Sequence, residues 1–350
     1  IAGLSKYDYL FGEDAGNKFF AYRPSMIPNK DLGWEISRTA NFGVDFGLWN
    51  NRISGYIEGY ITKTSDLLME RTLPFFTGFS KVWQNIGKTE NKGIELNIQA
   101  NTLKTKSFSW ETTVTFARNW NKITELLGGG DIRNNSWFIG KPLQVHYNYE
   151  MIGVWQLGEE KEAQKYGAIP GDIKVKDQNN DGSIGELDKV ILGQKDPKII
   201  ASLLNSFRFG AFDASINLNM NFGSLIHPNT YASLITRDGL RWMPSNFKYW
   251  TPDNPTNEYT RADKLSGYDP FAGTGGYMKG DYIKIQDITL GYDFSKIMPK
   301  NWKILRARLY AQVRNLGYIY KACKNDVSPE APDFDYNIPT TYTMGINIDF

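Results

Sequence analysis

The segment from Asp177 to Asp188, DQNNDGSIGELD, carries the most specific chemical pattern in the chain. Calcium takes about six to eight oxygen ligands, and an EF-hand-type loop supplies them from positions 1, 3, 5, 7, 9 and 12, with glycine at position 6 for a sharp turn. Oxygen-bearing residues stand at positions 1, 3, 5, 7 and 12 of this segment, namely Asp177, Asn179, Asp181, Ser183 and Asp188, and Gly182 stands at position 6. The spacing predicts a calcium-binding loop.

The predicted calcium loop departs from the EF-hand pattern in two ways. Asp188 has a shorter reach than the usual glutamate at position 12, and no helical pattern flanks the loop. The prediction is therefore an isolated structural calcium loop, rather than a sensor that moves helices. The alternative is a metal-free turn rich in Asp and Asn, since these side chains hydrogen-bond their own backbone.

Aromatic residues in two long connections are the candidate ligand-binding groups. Trp83 ends a stretch that begins at Phe75, and a second aromatic stretch runs from Trp242 to Tyr268 and includes Trp250. Their rings can stack on sugar faces or on peptide side chains. Aromatic girdles at a membrane interface explain such residues equally well.

No constellation of residues predicts catalysis. His146 and His227 are too far apart in sequence for a metal pair on one helix, and each is interpreted as a loop residue. Gly128, Gly129 and Gly130 lack the Lys-Ser/Thr that would follow in a phosphate-binding loop. Among 38 carboxylates no acid/base couple stands out, so the chain is not expected to be an enzyme.

The composition limits the class of protein before any strand is assigned. A chain of 350 residues with 41% hydrophobic residues and a mean hydropathy of -0.45 is too polar for a bundle of membrane helices. No run approaches the roughly 18 to 20 apolar residues that a spanning helix needs. The formal charge of +2 argues against a nucleic-acid partner. The single cysteine, Cys323, excludes an internal disulfide framework.

Alternating apolar and polar residues predict β-strands with two different faces. The closing stretch from Thr340 to Phe350 alternates to its last residue, and the stretch from Phe212 to Phe222 has the clearest pattern. Such strands are typical of a transmembrane β-barrel, whose strands face lipid on one side and a polar lumen on the other. In that interpretation Ile216, Leu218 and Met220 face lipid, and Asn217, Asn219 and Asn221 face the lumen.

The strands are separated alternately by short and long connections, as in barrels with short periplasmic turns and long extracellular loops. Counting back from Phe350 gives about nine crossing strands, and because bacterial barrels have an even number, further strands are expected outside this sequence. A shift of the apolar phase predicts a bulge at Asp287. The segments interpreted as loops are 1–33, 62–92, 121–198, which contains the calcium loop and is placed outside the cell, and 223–280.

The fold expectation is therefore an all-β, antiparallel transmembrane barrel, with residues 1–350 forming its C-terminal part. A second interpretation from another class remains open: a secreted, soluble, calcium-binding β protein that attaches to glycans through its Trp and Tyr loops. No signal peptide is recognisable, and Ile1 opens within loop-like sequence, which suggests a piece of a longer chain.

Several stretches resemble the SusC/RagA family of TonB-dependent outer-membrane transporters from Bacteroidetes. The similar stretches span most of the chain in the family's order: LLMERTLPFFTGFSKVWQNIGKTENKGIEL from Leu67, GDIKVKDQNNDGSIGELDKVILGQKDPK from Gly171, YWTPDNPTNEYTRAD from Tyr249, GDYIKIQDITLGYDF from Gly280, RLYAQVRNL from Arg308, and the closing strand. The loop 322–337 is less similar than its flanks, which leaves the role of that loop open.

The resemblance implies import of a bulky nutrient, an oligosaccharide or a peptide, through a multi-pass barrel in the outer membrane. It further implies a SusD-like lipoprotein over the extracellular mouth and TonB as the energy source. The plug and the TonB-contacting segment, which lie N-terminal in the family, have no counterpart in this sequence. The calcium loop would lie in a long extracellular loop, where it would fix the shape of residues 121–198.

Overall fold

The structure is a computed structural model that describes most of the chain. The described residues are 7–14, 17–24, 27–229, 231–232, 248–261, 271, 273–295, 297–299, 304–324, 327–332 and 338–349.

The described part of the chain is dominated by strands. In chain order they are β1 (Tyr7–Asp14), β2 (Asn17–Pro24), β3 (Ile36–Leu48), β4 (Ile53–Thr72), β5 (Lys81–Lys104), β6 (Phe108–Leu126), β7 (Val145–Tyr149), β8 (Met151–Val154), β9 (Ile173–Val175), β10 (Lys189–Gln194), β11 (Ile199–Phe209), β12 (Phe212–Phe222), β13 (Leu225–Ile226), β14 (Met278–Lys279), β15 (Tyr282–Asp293), β16 (Arg306–Lys321) and β17 (Thr341–Asp349). A short helix, α1 (Glu160–Lys165), lies between β8 and β9, and single 3-10 turns occupy Phe75–Thr77, Arg133–Asn135 and Glu186–Asp188. No helix in the described ranges is long and apolar enough to span a membrane.

Nine strands form one large sheet, in the order β17-β16-β15-β12-β11-β6-β5-β4-β3. Apart from two places where further strands intervene in the sequence, between β6 and β11 and between β12 and β15, each strand lies beside its neighbour in sequence, as in an up-and-down antiparallel arrangement. The prediction of about nine antiparallel crossing strands is confirmed. The remaining strands form two-stranded sheets: β1 with β2, β7 with β10, β8 with β9, and β13 with β14.

The register of the large sheet assembles one apolar face and one polar face. In β12, Ile216 lies opposite Ile288 of β15, and Leu218 lies opposite Leu203 of β11, whereas Asn217 lies opposite Asp287. Directly opposed residues of an antiparallel pair point to the same face, so the alternation continues from strand to strand. Large apolar side chains on the apolar face stay exposed, among them Phe212, Leu290, Leu309, Met344 and Ile346.

The predicted bulge is present in β15. Asn217 pairs with Asp287 and the next residue, Leu218, pairs with Ile285, so Gln286 is the extra residue. The extra residue lets Ile285 and Ile288 share the apolar face although three positions separate them. The bulge therefore lies one residue before the predicted position.

The chain divides into two compact units, each with buried residues of its own. The first comprises residues 1–43, 58–94 and 119–145, and the second comprises residues 44–57, 95–118 and 146–350. The buried apolar side chains of the first unit include Met69, Val82, Ile86, Ile123, Leu126 and Phe138. Those of the second include Val154, Trp155, Ile173, Tyr231, Trp250, Cys323 and Val327.

All four segments interpreted as loops contain strands, and the fourth, 223–280, contains the short strands β13 and β14. Residues 1–33 contain the β1–β2 hairpin, and most of 62–92 belongs to β4 and β5, which leaves only residues 73–80 as a connection. Residues 121–198 contain the end of β6, four short strands and α1. Alternation of apolar and polar residues fades where neither face of a strand meets lipid, although the hydrogen-bonded backbone continues.

Candidate functional site

The polar face of the large sheet is a wall of side chains that bond across strands. In β12, Asn217 donates to Asp287 at 3.2 Å, Asn219 donates to Gln286 at 3.3 Å, and Asn221 donates to the Tyr282 hydroxyl at 2.8 Å. Each amide is therefore held by the neighbouring strand β15. The arrangement presents a fixed polar surface suited to a water-filled passage.

A bidentate ion pair spans three strands on the same face. The Arg308 guanidinium donates from Nε to Asp213 at 2.8 Å and from Nη2 to the second carboxylate oxygen, a geometry that favours arginine over lysine. Gly291 of β15 lies opposite Asp213 of β12, and the Arg308 side chain passes over it from β16, where Arg308 itself lies opposite Asp293. A Cβ on Gly291 would approach the Arg308 guanidinium, so the glycine gives the ion pair room to form.

The connection between β16 and β17 is tied to the polar face by one carboxylate. Glu330 accepts a 2.7 Å ion pair from Lys284 of β15 and a 2.8 Å hydrogen bond from the Tyr318 hydroxyl. The Lys284 side chain is only 4% exposed, so it needs this partner. No sequence signal pointed to the Glu330 contact, because its partners lie 46 and 12 residues away.

Trp250, a predicted ligand-binding residue, is a packing residue in the second unit. Its ring is 6% exposed, and its indole Nε1 donates to the Gln156 side chain at 2.8 Å. The ring lies against Gly171, which has a φ of +92°. A Cβ on Gly171 would come within 2.6 Å of the Trp250 ring and of Arg261. Stacking on a ligand would require this packing to open.

The other predicted ligand contacts differ in their surroundings. Trp83 is half-buried in β5, and its carbonyl accepts a 2.9 Å hydrogen bond from Asn29. At the start of the same aromatic stretch, Phe75 and Phe76 are 99% and 88% exposed at the tip between β4 and β5. Trp242 and Tyr268 lie outside the described residues.

The predicted calcium loop folds into a chain of side-chain to backbone hydrogen bonds. Asp177 accepts from the N–H groups of Asn180 at 2.6 Å and Gly182 at 2.9 Å, and Asp181 accepts from the N–H of Ser183 at 2.8 Å. Positive φ angles at Asn180 and Gly182 curl the chain. Asp188 is 1% exposed and accepts from the N–H of Gln178, which joins the end of the loop to its beginning.

These contacts bring the predicted calcium ligands into one curled segment. Each carboxylate has about four acceptor positions, so lone pairs that accept no hydrogen bond are left for a metal ion. The hydrogen bonds to Ser183 and Asn179 also hold the pKa of Asp181 below its usual range, which keeps the group anionic. Within the described ranges, no three His, Cys, Asp or Glu side chains form a group arranged to hold a metal ion. A calcium ion would therefore depend on Asn179, Ser183 and main-chain carbonyls as well.

The two histidines lie close together in space although they are far apart in the sequence; His227 lies outside any strand, as predicted, whereas His146 belongs to β7. Their ring centroids are 6.2 Å apart, and His227 stacks on Tyr277 with centroids 4.1 Å apart. His146 bonds to the Leu225 carbonyl at 2.8 Å, and burial lowers its pKa to about 4. His146 is therefore neutral at physiological pH and serves packing.

A two-faced antiparallel sheet with an exposed apolar surface, a bonded polar surface, short turns and long connections defines an outer-membrane β-barrel. Residues 7–316 match the family model of the TonB dependent receptor-like β-barrel, and the chain belongs to that family. It therefore lies in the outer membrane, in a family of receptors and transporters rather than enzymes. The soluble, secreted alternative is wrong.

Individual relatives give the same assignment. TonB-dependent receptor P26 of Formosa agariphila is 27% identical over 94% of this chain, and TonB-dependent receptor SusC of Bacteroides thetaiotaomicron is 28% identical over 98% of it. The chain spans about a third of those relatives, 36% and 34% of their lengths. The RagAB peptide importer in its closed-closed state superposes on the whole chain with a TM-score of 0.78 at 20% identity, and the chain covers 39% of that protein.

Proposed function

We propose that this chain supplies barrel wall and extracellular loops to a TonB-dependent importer of a bulky nutrient, an oligosaccharide or a peptide. The observation that carries the proposal is the wall of cross-bonded amides and ion pairs on the polar face of the sheet. Such a wall offers hydrogen-bonding groups to a polar solute along its path. The proposal also draws on relatives that are named a peptide importer and SusC.

A SusD-like lipoprotein is the proposed partner at the extracellular mouth, and TonB is the proposed energy source through a region outside this sequence. The exposed Phe75–Phe76 tip supports a binding surface on the side away from the short turns, because large exposed apolar patches mark contact sites. Together with Trp83, this tip is the proposed contact for the ligand or for the lipoprotein. Trp242 and Tyr268 stay predictions for the same role.

The test is uptake by cells that carry the full-length transporter. We expect deletion of its gene to abolish growth on one class of polymer, either an oligosaccharide or a peptide mixture, and plasmid-borne wild type to restore growth. A version that lacks its TonB-contacting segment should fail to restore growth while it still reaches the outer membrane. Growth that is unaffected by the deletion on every oligosaccharide and peptide would contradict the proposal.

A structural calcium ion at Asp177–Asp188 is a second, separate proposal. The curled backbone and the buried Asp188 support it, because both fix acidic side chains in one small segment. Calcium should raise the protease resistance of residues 171–198 in the full-length protein, and chelator should lower it. The D177N/D181N variant should lose this response, whereas E162Q, which removes an exposed carboxylate of α1, should keep it. Equal resistance with calcium and with chelator would rule the ion out.

A further inference from the structure

A cluster of basic side chains lies on the outward face of the sheet, at the edge of the apolar band. Strand β3 shows most simply how apolar residues give way to a basic one along the outward face. Phe42, Val44, Phe46 and Leu48 share that face, and Arg38 follows them toward the long-connection end. Strand β5 repeats the order, with Lys92 and Glu90 following Ile94 on its outward face. The cluster therefore begins where the lipid-facing residues end.

The distance along the strands places this cluster at the membrane surface. Ten residues separate Leu48 from Arg38 in β3 and Ile53 from Lys63 in β4. At about 3.3 Å per residue and a tilt of about 40°, ten residues rise about 25 Å, the height of the apolar band of an outer-membrane barrel. Leu48 and Ile53 flank the short turn, so Arg38 and Lys63 lie at the outer leaflet.

Glu90 forms ion pairs with lysines of three strands. Its carboxylate lies 3.9 Å from the Lys63 ammonium, 3.1 Å from that of Lys92 and 3.2 Å from that of Lys122 in β6. The Glu90 side chain is 12% exposed, whereas the three lysine side chains are 48% to 69% exposed. One carboxylate therefore holds three cations whose ammonium groups still face solvent, and with Arg38 the cluster carries a net charge of about +3.

A cavity of about 510 Å³ opens within this cluster. Its lining combines apolar side chains with cationic ones, namely Ile36, Ile61, Arg38, Lys63 and Lys88, beside Glu90. Lys88 is neutralised by Glu125 at 2.7 Å, which leaves the charge of Arg38 and Lys63 at the cavity. A lining that combines apolar and cationic side chains matches the boundary between acyl chains and headgroups, where long basic side chains extend toward the polar layer.

We propose that Arg38, Lys63, Lys92 and Lys122 form a binding site for the phosphate groups of an anionic lipid of the outer leaflet. The apolar band below the site holds the acyl chains of that lipid, and the cluster supplies the counter-charge for its headgroup. Glu90 is a positioning residue that keeps the lysines together. The site anchors strands β3 to β6 at a fixed depth in the outer leaflet.

The test compares lipid A with lipid A from which both phosphates have been removed, because the two share their acyl chains. Full-length protein in detergent is titrated with each lipid, and bound lipid is measured by native mass spectrometry. We expect phosphorylated lipid to bind in preference to the dephosphorylated form. The K63Q/K122Q variant should bind lipid A about thirtyfold more weakly, since two basic charges are lost at a membrane surface.

Two controls separate the site from general charge. The K104Q/K106Q variant removes two exposed lysines at the short-turn end of the same hairpin and should bind lipid A as wild type does. The K63R/K122R variant keeps the charge and should also bind as wild type does. Equal binding of the two lipids, an unchanged K63Q/K122Q variant, or full displacement of lipid A by inorganic phosphate would overturn the proposal.

Discussion

At the scale of single residues, buried polar groups are the positions most sensitive to substitution. Lys284 and His146 are both withdrawn from solvent, and the cost of burying each polar group is offset in a different way. Lys284 is paired with the carboxylate of Glu330, whereas burial lowers the pKa of His146 so that its ring stays neutral beside a main-chain carbonyl. The stability of the first arrangement therefore depends on Glu330, and the stability of the second depends on pH.

Removal of Glu330 should release the connection between β16 and β17. In E330A the buried Lys284 ammonium loses its counter-ion, and breaking such a pair costs about 3 kcal/mol. We expect faster proteolysis within residues 322–332 of the full-length protein. The K284M/E330L double variant should recover most of the resistance, because it removes both charges. Resistance in E330A equal to wild type would mean that the ion pair does not hold the connection.

Acid should weaken the segment that contains His146. Burial lowers the folded-state pKa of His146 from 6.5 to about 4, so the unfolded chain binds a proton in this interval that the folded chain does not. Stability is therefore complete above pH 6.5 and falls as the pH drops toward 4. The thermal midpoint of the full-length protein, measured by tryptophan fluorescence, should fall less steeply with acid in H146Q than in wild type. Parallel pH profiles for the two proteins would contradict this.

At the scale of elements, glycines and hairpin tips decide how the long connections pack. Gly171 leads into β9 and meets the Trp250 ring, while Gly158 precedes α1 in open space. Both have positive φ angles, +92° and +91°. Substitutions at these two glycines therefore distinguish the cost of a strained backbone from the cost of a packing clash.

G171A should destabilise the second unit more than G158A does. Both variants place a Cβ on a left-handed backbone, which costs about 1 to 3 kcal/mol, but only the new Cβ of G171A meets Trp250 and Arg261 at 2.6 Å. We expect a lower thermal midpoint in G171A and greater exposure of tryptophan to an aqueous quencher. Similar midpoints for the two variants would show that the ring moves aside without cost.

The Phe75–Phe76 tip should contribute to binding and not to stability. Both rings are almost wholly exposed, so F75S/F76S removes little buried surface and should change the free energy of unfolding by no more than about 0.5 kcal/mol. Nutrient uptake, or binding of the surface lipoprotein, should fall at least about tenfold, as expected for loss of an aromatic contact. L157S, which alters an exposed apolar residue of another connection, serves as the matched control. Wild-type uptake by F75S/F76S would exclude the tip from the contact.

At the scale of the whole molecule, the sequence was informative where lipid imposes a pattern and uninformative elsewhere. The membrane part of β12 was predicted residue by residue, because apolar Ile216 and polar Asn217 alternate without a break. The hairpin of β1 and β2 was missed, and so were the outer halves of β4 and β5, since no apolar face marks them. The Lys284–Glu330 contact and the packing of Trp250 depend on long-range pairing, which one sequence does not encode in any local pattern.

The length of strand β5 has a mechanical consequence. It runs for 24 residues, about 80 Å of extended chain, while crossing the apolar band at a tilt of 45° takes about 35 Å. More than half of the strand therefore projects beyond the lipid, and β4 runs beside it to the same tip. A partner that presses on Phe75 and Phe76 therefore acts at the end of a long cantilever made of two hydrogen-bonded strands.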